Sequence, residues 1–216
     1  MTSLLLAVAV HGQLSYSLKW EPKKGETHVY EIFIKDKETS VEAAVEHKVT
    51  EVKSDGTYTV QSRSLGALIR FGAEEIRDDR PSETTAEFDA FGQLQEISGG
   101  TAGPAKYRNA LLMRFVAPHV PVKVNDAWTY ARNTAKPTGL SAIGVTYSLK
   151  AVKDSIAEVT FVFTEKGGEF PQTATGTWWV DVRNGLPQRL EAKVKNFVGS
   201  ESPETTVTLA LRRPIR

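Results

Sequence analysis

The 216-residue chain is 40% hydrophobic and 25% charged, and its 27 basic and 26 acidic residues leave a formal net charge of +1. This ordinary globular composition excludes a disordered chain, and near-neutrality excludes attraction to nucleic acid or anionic lipid through bulk charge. With no cysteine, a disulfide scaffold, a thiolate metal site, a cysteine nucleophile and a lipid-modified N-terminal cysteine are excluded as well.

Leu4 to Val10 form a short apolar run followed by His11, Gly12 and Gln13. The pattern predicts a signal peptide over residues 1–13 and a secreted or periplasmic protein. The run falls short of the ~20 apolar residues of a membrane span. No later segment reaches that length, so no transmembrane segment is expected in the mature chain.

From Leu14 onward, period-two alternation dominates. Leu14, Tyr16, Leu18 and Trp20 alternate with polar neighbours, and Pro22 to Gly25 reads as a turn. His28, Tyr30, Ile32 and Ile34 share the next face, and Ala43, Val45, His47 and Val49 the one after. Asp55-Gly56 is a hairpin turn, because these residues tolerate positive φ. One helix is predicted over about 104–117: Pro104 suits its start, Tyr107, Leu111 and Phe115 form a stripe, and Pro118 ends it. Near the end, Leu190, Ala192 and Val194, then Val207, Leu209 and Leu211, alternate with charged or polar residues. One wet face and one buried face indicate antiparallel sheet.

The halves repeat. Glu26-Thr27-His28-Val29-Tyr30 corresponds to Asp126-Ala127-Trp128-Thr129-Tyr130 at an offset of 100 residues, and Val45 and Val52-Lys53 correspond to Val145 and Val152-Lys153 at the same offset. Phe88 to Leu94 corresponds to Val180 to Leu186 with small insertions, the Asp89-x-x-Gly92 turn of the first having one residue more between Asp181 and Gly185 in the second. So long a period means two copies of one sheet and not an array. The predicted organisation is a first β half over 14–103, a helix and connector over 104–122, and a second β half over 123–216. The fold class is all-β: two related antiparallel halves in a twisted sandwich or half-barrel with one short helix.

Face parity sets cross-strand registers. Ile34 should face Val41, Ile32 Ala43, Tyr30 Val45, and His28 His47. In the second half, Ala151 should face Ala157, Leu149 Val159, Tyr147 Phe161 and Val145 Phe163. Around Gly185, Val180 should face Leu190, Trp178 Ala192, and Gly176 Val194.

The facing His28 and His47 admit two readings. Their Cβ atoms would lie ~4.5–5.5 Å apart, close enough for a polar pair that titrates together or reaches one metal ion. The stronger reading is packing, because the residues 100 positions on are Trp128 and Tyr147. Two imidazoles without a third ligand make a weak zinc site, so no metal and no cofactor is expected. Trp179 is read as a ring covering a neighbouring strand or the helix, in preference to one stacking on a sugar or a partner chain, Asp78-Asp79-Arg80-Pro81 as a solvated loop, and His119 as loop surface. No nucleophile elbow, phosphate loop or dinucleotide fingerprint is present.

Trp20-Glu21-Pro22-Lys23-Lys24-Gly25-Glu26, Asp55-Gly56-Thr57-Tyr58 and Pro121 to Trp128 resemble segments of exported bacterial all-β proteins of unknown function. In that group a Lys-x-Gly-Asp/Glu turn opens an aromatic strand in each half; here Asn125 replaces the second glycine. The resemblance implies a cell-envelope or secreted location and no known activity.

The expected function is non-enzymatic: binding of a lipid or other apolar or amphipathic ligand in a concavity between sheet and helix, lined by Tyr30, Trp128, Tyr147 and Trp178. The alternatives are an envelope-protein interaction module that offers an exposed strand edge, such as Thr205 to Leu211, and, less favoured, an unrecognised hydrolase.

Overall fold

The computed structural model describes residues 14–100, 104–133, 142–167, 169–198, 200 and 202–212. The expected signal peptide lies outside them. The first part of the chain forms β1 (Ser15–Tyr16), β2 (Thr27–Lys35), β3 (Thr39–Val52), β4 (Tyr58–Phe71), β5 (Glu74–Asp78), β6 (Glu83–Phe88) and β7 (Leu94–Gly99). After the helix α1 (Pro104–Leu112) come β8 (Val122–Lys123), β9 (Ala127–Arg132), β10 (Ala142–Lys153), β11 (Ile156–Lys166), β12 (Thr173–Asp181), β13 (Pro187–Lys195) and β14 (Glu204–Leu211).

All described pairings are antiparallel. Twelve strands form one sheet in the order β7-β6-β4-β3-β2-β14-β13-β12-β11-β10-β9, with β5 also on β4, and β1 pairs with β8 separately. The turns follow their chemistry. Gly56 closes the β3–β4 hairpin at φ 84°, and Asp154 and Ser155 close β10–β11 at φ 49° and 66°. Both of the latter adopt the left-handed conformation that a two-residue hairpin matching strand twist requires.

The repeat is written in the backbone hydrogen bonds. Gly25 N–H donates to the Val49 carbonyl at 2.8 Å, and Asn125 N–H donates to the Leu149 carbonyl at 2.7 Å. Val49 N–H returns to Glu26 at 2.9 Å, as Leu149 N–H returns to Asp126 at 3.0 Å. The Glu26 carboxylate accepts from Lys23 N–H at 2.9 Å, and the Asp126 carboxylate from Lys123 N–H at 2.8 Å. Asn125 holds φ 78° where Gly25 holds 87°. Asparagine is the side-chain-bearing residue best suited to that region, so the departure from glycine preserves the turn. Bulges also coincide: the register shifts between Val49 and Glu51 and between Leu149 and Ala151.

The two halves do not pack as separate layers. β14 pairs with β13 on one side and β2 on the other, joining them edge to edge. Thr205 to Leu211 is therefore central and offers no edge, contrary to the expectation for that strand. The far edges approach one another. Arg132 on β9 donates to the Leu94 carbonyl at 2.6 Å and the Gln95 carbonyl at 3.4 Å on β7, so a side chain, not a ladder, bridges the gap. The result is an incompletely closed barrel whose inner face carries one continuous core, including Tyr58, Val60, Leu149, Val159, Trp178, Leu190 and Val207.

Registers divide by whether a bulge intervenes. All four predicted β2–β3 pairs form, including His28 with His47. On β10–β11 the pairs from Leu149–Val159 to Val145–Phe163 form, but Ala151 faces Glu158 because Lys150 bulges out. Around Gly185 none of the expected pairs forms: Trp178 faces Leu190 and Gly176 faces Ala192, two residues off, and Val180 faces Pro187, three residues off across a bulge. For Trp178 and Gly176 facing is unchanged, because a shift of two preserves parity. Helix α1 is shorter than predicted. It stops at Leu112, and Arg114 to Ala117 run extended along the core. Their carbonyls accept from Tyr147 Oη at 3.4 Å (Arg114) and Trp128 Nε1 at 3.0 Å (Val116), while Ala117 N–H donates to the Phe91 carbonyl at 2.9 Å.

Asn125→Gly should leave the urea midpoint unchanged or raise it. Asn125→Val should cost about 1–2 kcal/mol, because a β-branched residue resists positive φ. Equal stability of the two variants would count against the conserved turn.

Candidate functional site

The second half of the barrel is filled by aromatic packing. Tyr147 and Trp178 are each 2% exposed. Trp128 stacks on Tyr147 at 5.3 Å with an interplanar angle of 15°. Phe115 enters edge-on among all three, at 6.2 Å from Trp128, 5.6 Å from Tyr147 and 6.0 Å from Trp178. Three of the four residues expected to line a concavity are thus brought together, and Phe115 occupies the space between them. Helix α1 is pinned above by an ion pair: Arg108 Nη2 donates to the largely buried Glu165 carboxylate at 2.6 Å and to the Phe170 carbonyl at 2.9 Å. Gln172 N–H donates to the same carboxylate oxygen at 2.8 Å.

The fourth, Tyr30, belongs to a second cluster in the first half. Its hydroxyl donates to the Pro187 carbonyl at 3.0 Å, and its ring lies 5.1 Å from His47. Burial raises the Tyr30 pKa. His28 pairs through Nε2 with Glu26 Oε1 at 2.9 Å and meets Trp20 edge-on at 5.8 Å. Burial, then the Arg114 and His28 charges, lower the His47 pKa to about 4, so its ring is neutral at physiological pH. No group of three or more His, Cys, Asp or Glu side chains suited to a metal ion occurs among the described residues.

Arg114 is the residue that sequence reasoning missed. Its guanidinium lies 4.0 Å from the Phe88 ring centroid, 5.5 Å from Tyr58 and 5.8 Å from Trp20, and it donates to the Tyr58 hydroxyl. Its Nε is buried without a hydrogen-bond partner in the protein. The available signal was a single charge inside the apolar run Leu111-Leu112-Met113-Arg114-Phe115-Val116-Ala117.

Beyond this cluster the two halves diverge. In the second half, Tyr147 faces Phe161 and Val145 faces Phe163, all buried. In the first, His47 faces Ser62 and Val45 faces Ser64. Two serines thus stand where two phenylalanines fill the core. Toward the hairpin tips, Ile32, Ile34, Val41, Ala43, Ala67 and Ile69 continue the same inner face but are only partly buried. Phe71 and Ile76 at its end are 48% and 49% exposed.

The remaining candidates are surface features. Trp179 lies under the Arg189 guanidinium, 5.1 Å from the ring centroid. Asp78 makes a two-point ion pair with Arg80, which holds its carboxyl at about 2. His119 is exposed, with its ring 4.0 Å from Phe91. No protein-family model, no curated protein and no solved structure matches this chain.

Phe115→Ala should cost about 3–5 kcal/mol in urea unfolding, because its ring fills the space among three others. For His47, the folded pKa lies below the unfolded value, so the unfolded chain holds the extra proton between about pH 4 and 6.5. This contribution is complete above that window and is lost as pH falls through it. His47→Phe should therefore show a shallower fall in Tm from pH 7 to pH 4 than the wild type. Parallel profiles would rule out a buried neutral imidazole.

Proposed function

We propose that this is an exported, non-enzymatic protein that carries an apolar or amphipathic ligand on the open inner face of its first β half. The observation that carries this reading is the asymmetry between repeats. An apolar inner face that the second half covers with its own side chains is left partly exposed along Ile34, Val41, Ile69 and Phe71. Such a surface costs free energy in water, at about 25 cal/mol per Å² of apolar area, and a bound apolar group recovers it. The curled sheet supports the reading because it gives that face a concave shape without an internal void to collapse.

The aromatic residues first expected to line the site serve it indirectly. Trp128, Tyr147 and Trp178, closed on Phe115, form the rigid wall against which the open half stands. Tyr30 alone stands at the inner end of the exposed stretch. Secretion or a periplasmic location accords with such a carrier, which would move an insoluble molecule through an aqueous compartment.

N-phenyl-1-naphthylamine, a neutral apolar dye, should gain fluorescence on titration with the protein and saturate near one dye per chain. Ile69→Asp, outside the packed core, should weaken that binding at least tenfold. Absence of a saturable signal with wild-type protein would refute the carrier reading.

A further inference from the structure

We propose that Arg114 receives the carboxylate of an anionic single-chain amphiphile whose tail lies along the open inner face. The inference deepens the carrier reading and rests on it. Its starting point is a charge without a counter-charge. Among the described residues, Glu26 is engaged with His28 and the Lys23 N–H, and Asp89 with the Phe91 and Gln93 N–H groups. Neither makes an ion pair with Arg114. Three rings and one hydroxyl surround its guanidinium instead. Cation–π contacts contribute about 0.5–2 kcal/mol each, less than the several kcal/mol that removing an ion from water costs. An anion against the guanidinium would supply the missing compensation.

The space for it is present. Arg114, His28, His47 and Tyr30 converge on a cavity of about 20 Å³. That volume is about that of one water-sized atom, so a carboxylate would enter it with one oxygen and leave its carbon at the mouth. Among the described residues no carboxylate lines it: Glu26 pairs with His28, and the Tyr30 hydroxyl proton goes to the Pro187 carbonyl, which leaves Arg114 and His47 as the donors facing the cavity. The neutral His47 ring can donate through one nitrogen without adding repulsion to Arg114.

The tail follows from the ladder. On β3, alternate residues lead from His47 through Val45 and Ala43 to Val41 on the same inner face, flanked by Ile32 and Ile34 of β2. Six residues of strand span about 20 Å at ~3.3 Å each, comparable to the ~15 Å of acyl chain in one bilayer leaflet. Ser62 and Ser64 stand beside this path where the second half has phenylalanines, so Tyr30 is the aromatic ring that borders it.

The test uses cis-parinaric acid and its methyl ester, fluorescent probes with the same chain that differ in charge. Wild-type protein should bind the acid at least tenfold more tightly than the ester at pH 7.5. Arg114→Met should bring the two affinities together, and Arg114→Lys should retain part of the preference. Equal wild-type affinities would overturn the assignment while leaving the carrier reading intact, and this arm needs no variant to fold. A preference that persists in a folded Arg114→Met would also overturn it, placing the head group elsewhere. If neither probe binds the wild type, the assignment and the carrier reading fall together.

Discussion

The structure depends on β14. By pairing with β13 and β2 at once, this strand turns two β meanders into one continuous ladder. A single sheet of such width must coil, because each strand pair adds right-handed twist. Coiling brings β7 toward β9 and gives the protein an inside. All later consequences, including one shared core and one open flank, follow from that closure.

Closure alone would not keep the inside dry. Residues 111–117 thread through it, and the helix preceding them is anchored by Arg108 on Glu165. Phe115 then takes a place among Trp128, Tyr147 and Trp178. The carbonyls of Val116 and Arg114 accept from the Trp128 indole and the Tyr147 hydroxyl, donors that would otherwise be buried without partners.

A duplicated backbone with unequal filling separates scaffold from site. The turns at Gly25 and Asn125 and the bulges that follow them keep both halves in one geometry. Side chains on the inner face were then free to differ. One half is aromatic and closed. The other has serines, histidines and small aliphatic residues, with Arg114 at its base. That division gives the protein a rigid wall and an accessible face from one repeating plan.

Much of the fold was legible in the sequence because its determinants are local. Alternation gave the faces, and Asp55-Gly56 marked its hairpin. Parity placed His28 opposite His47, since no bulge lies between that pair and the hairpin turn. The register failed at Ala151 and around Gly185, where one bulged residue or a longer turn changes the count without altering the hydrophobic pattern. The stripe through Tyr107, Leu111 and Phe115 predicted burial correctly but helix too far, because burial is compatible with either conformation. What the sequence determined by itself was therefore the all-β class, the antiparallel pairing and the repeat, each encoded in residues near one another along the chain. Tertiary structure alone decided that β14 is central, that Phe115 fills the aromatic cluster and that Arg114 lies among rings without a carboxylate. Those facts depend on contacts between residues far apart in sequence, and no spacing rule along the chain expresses them.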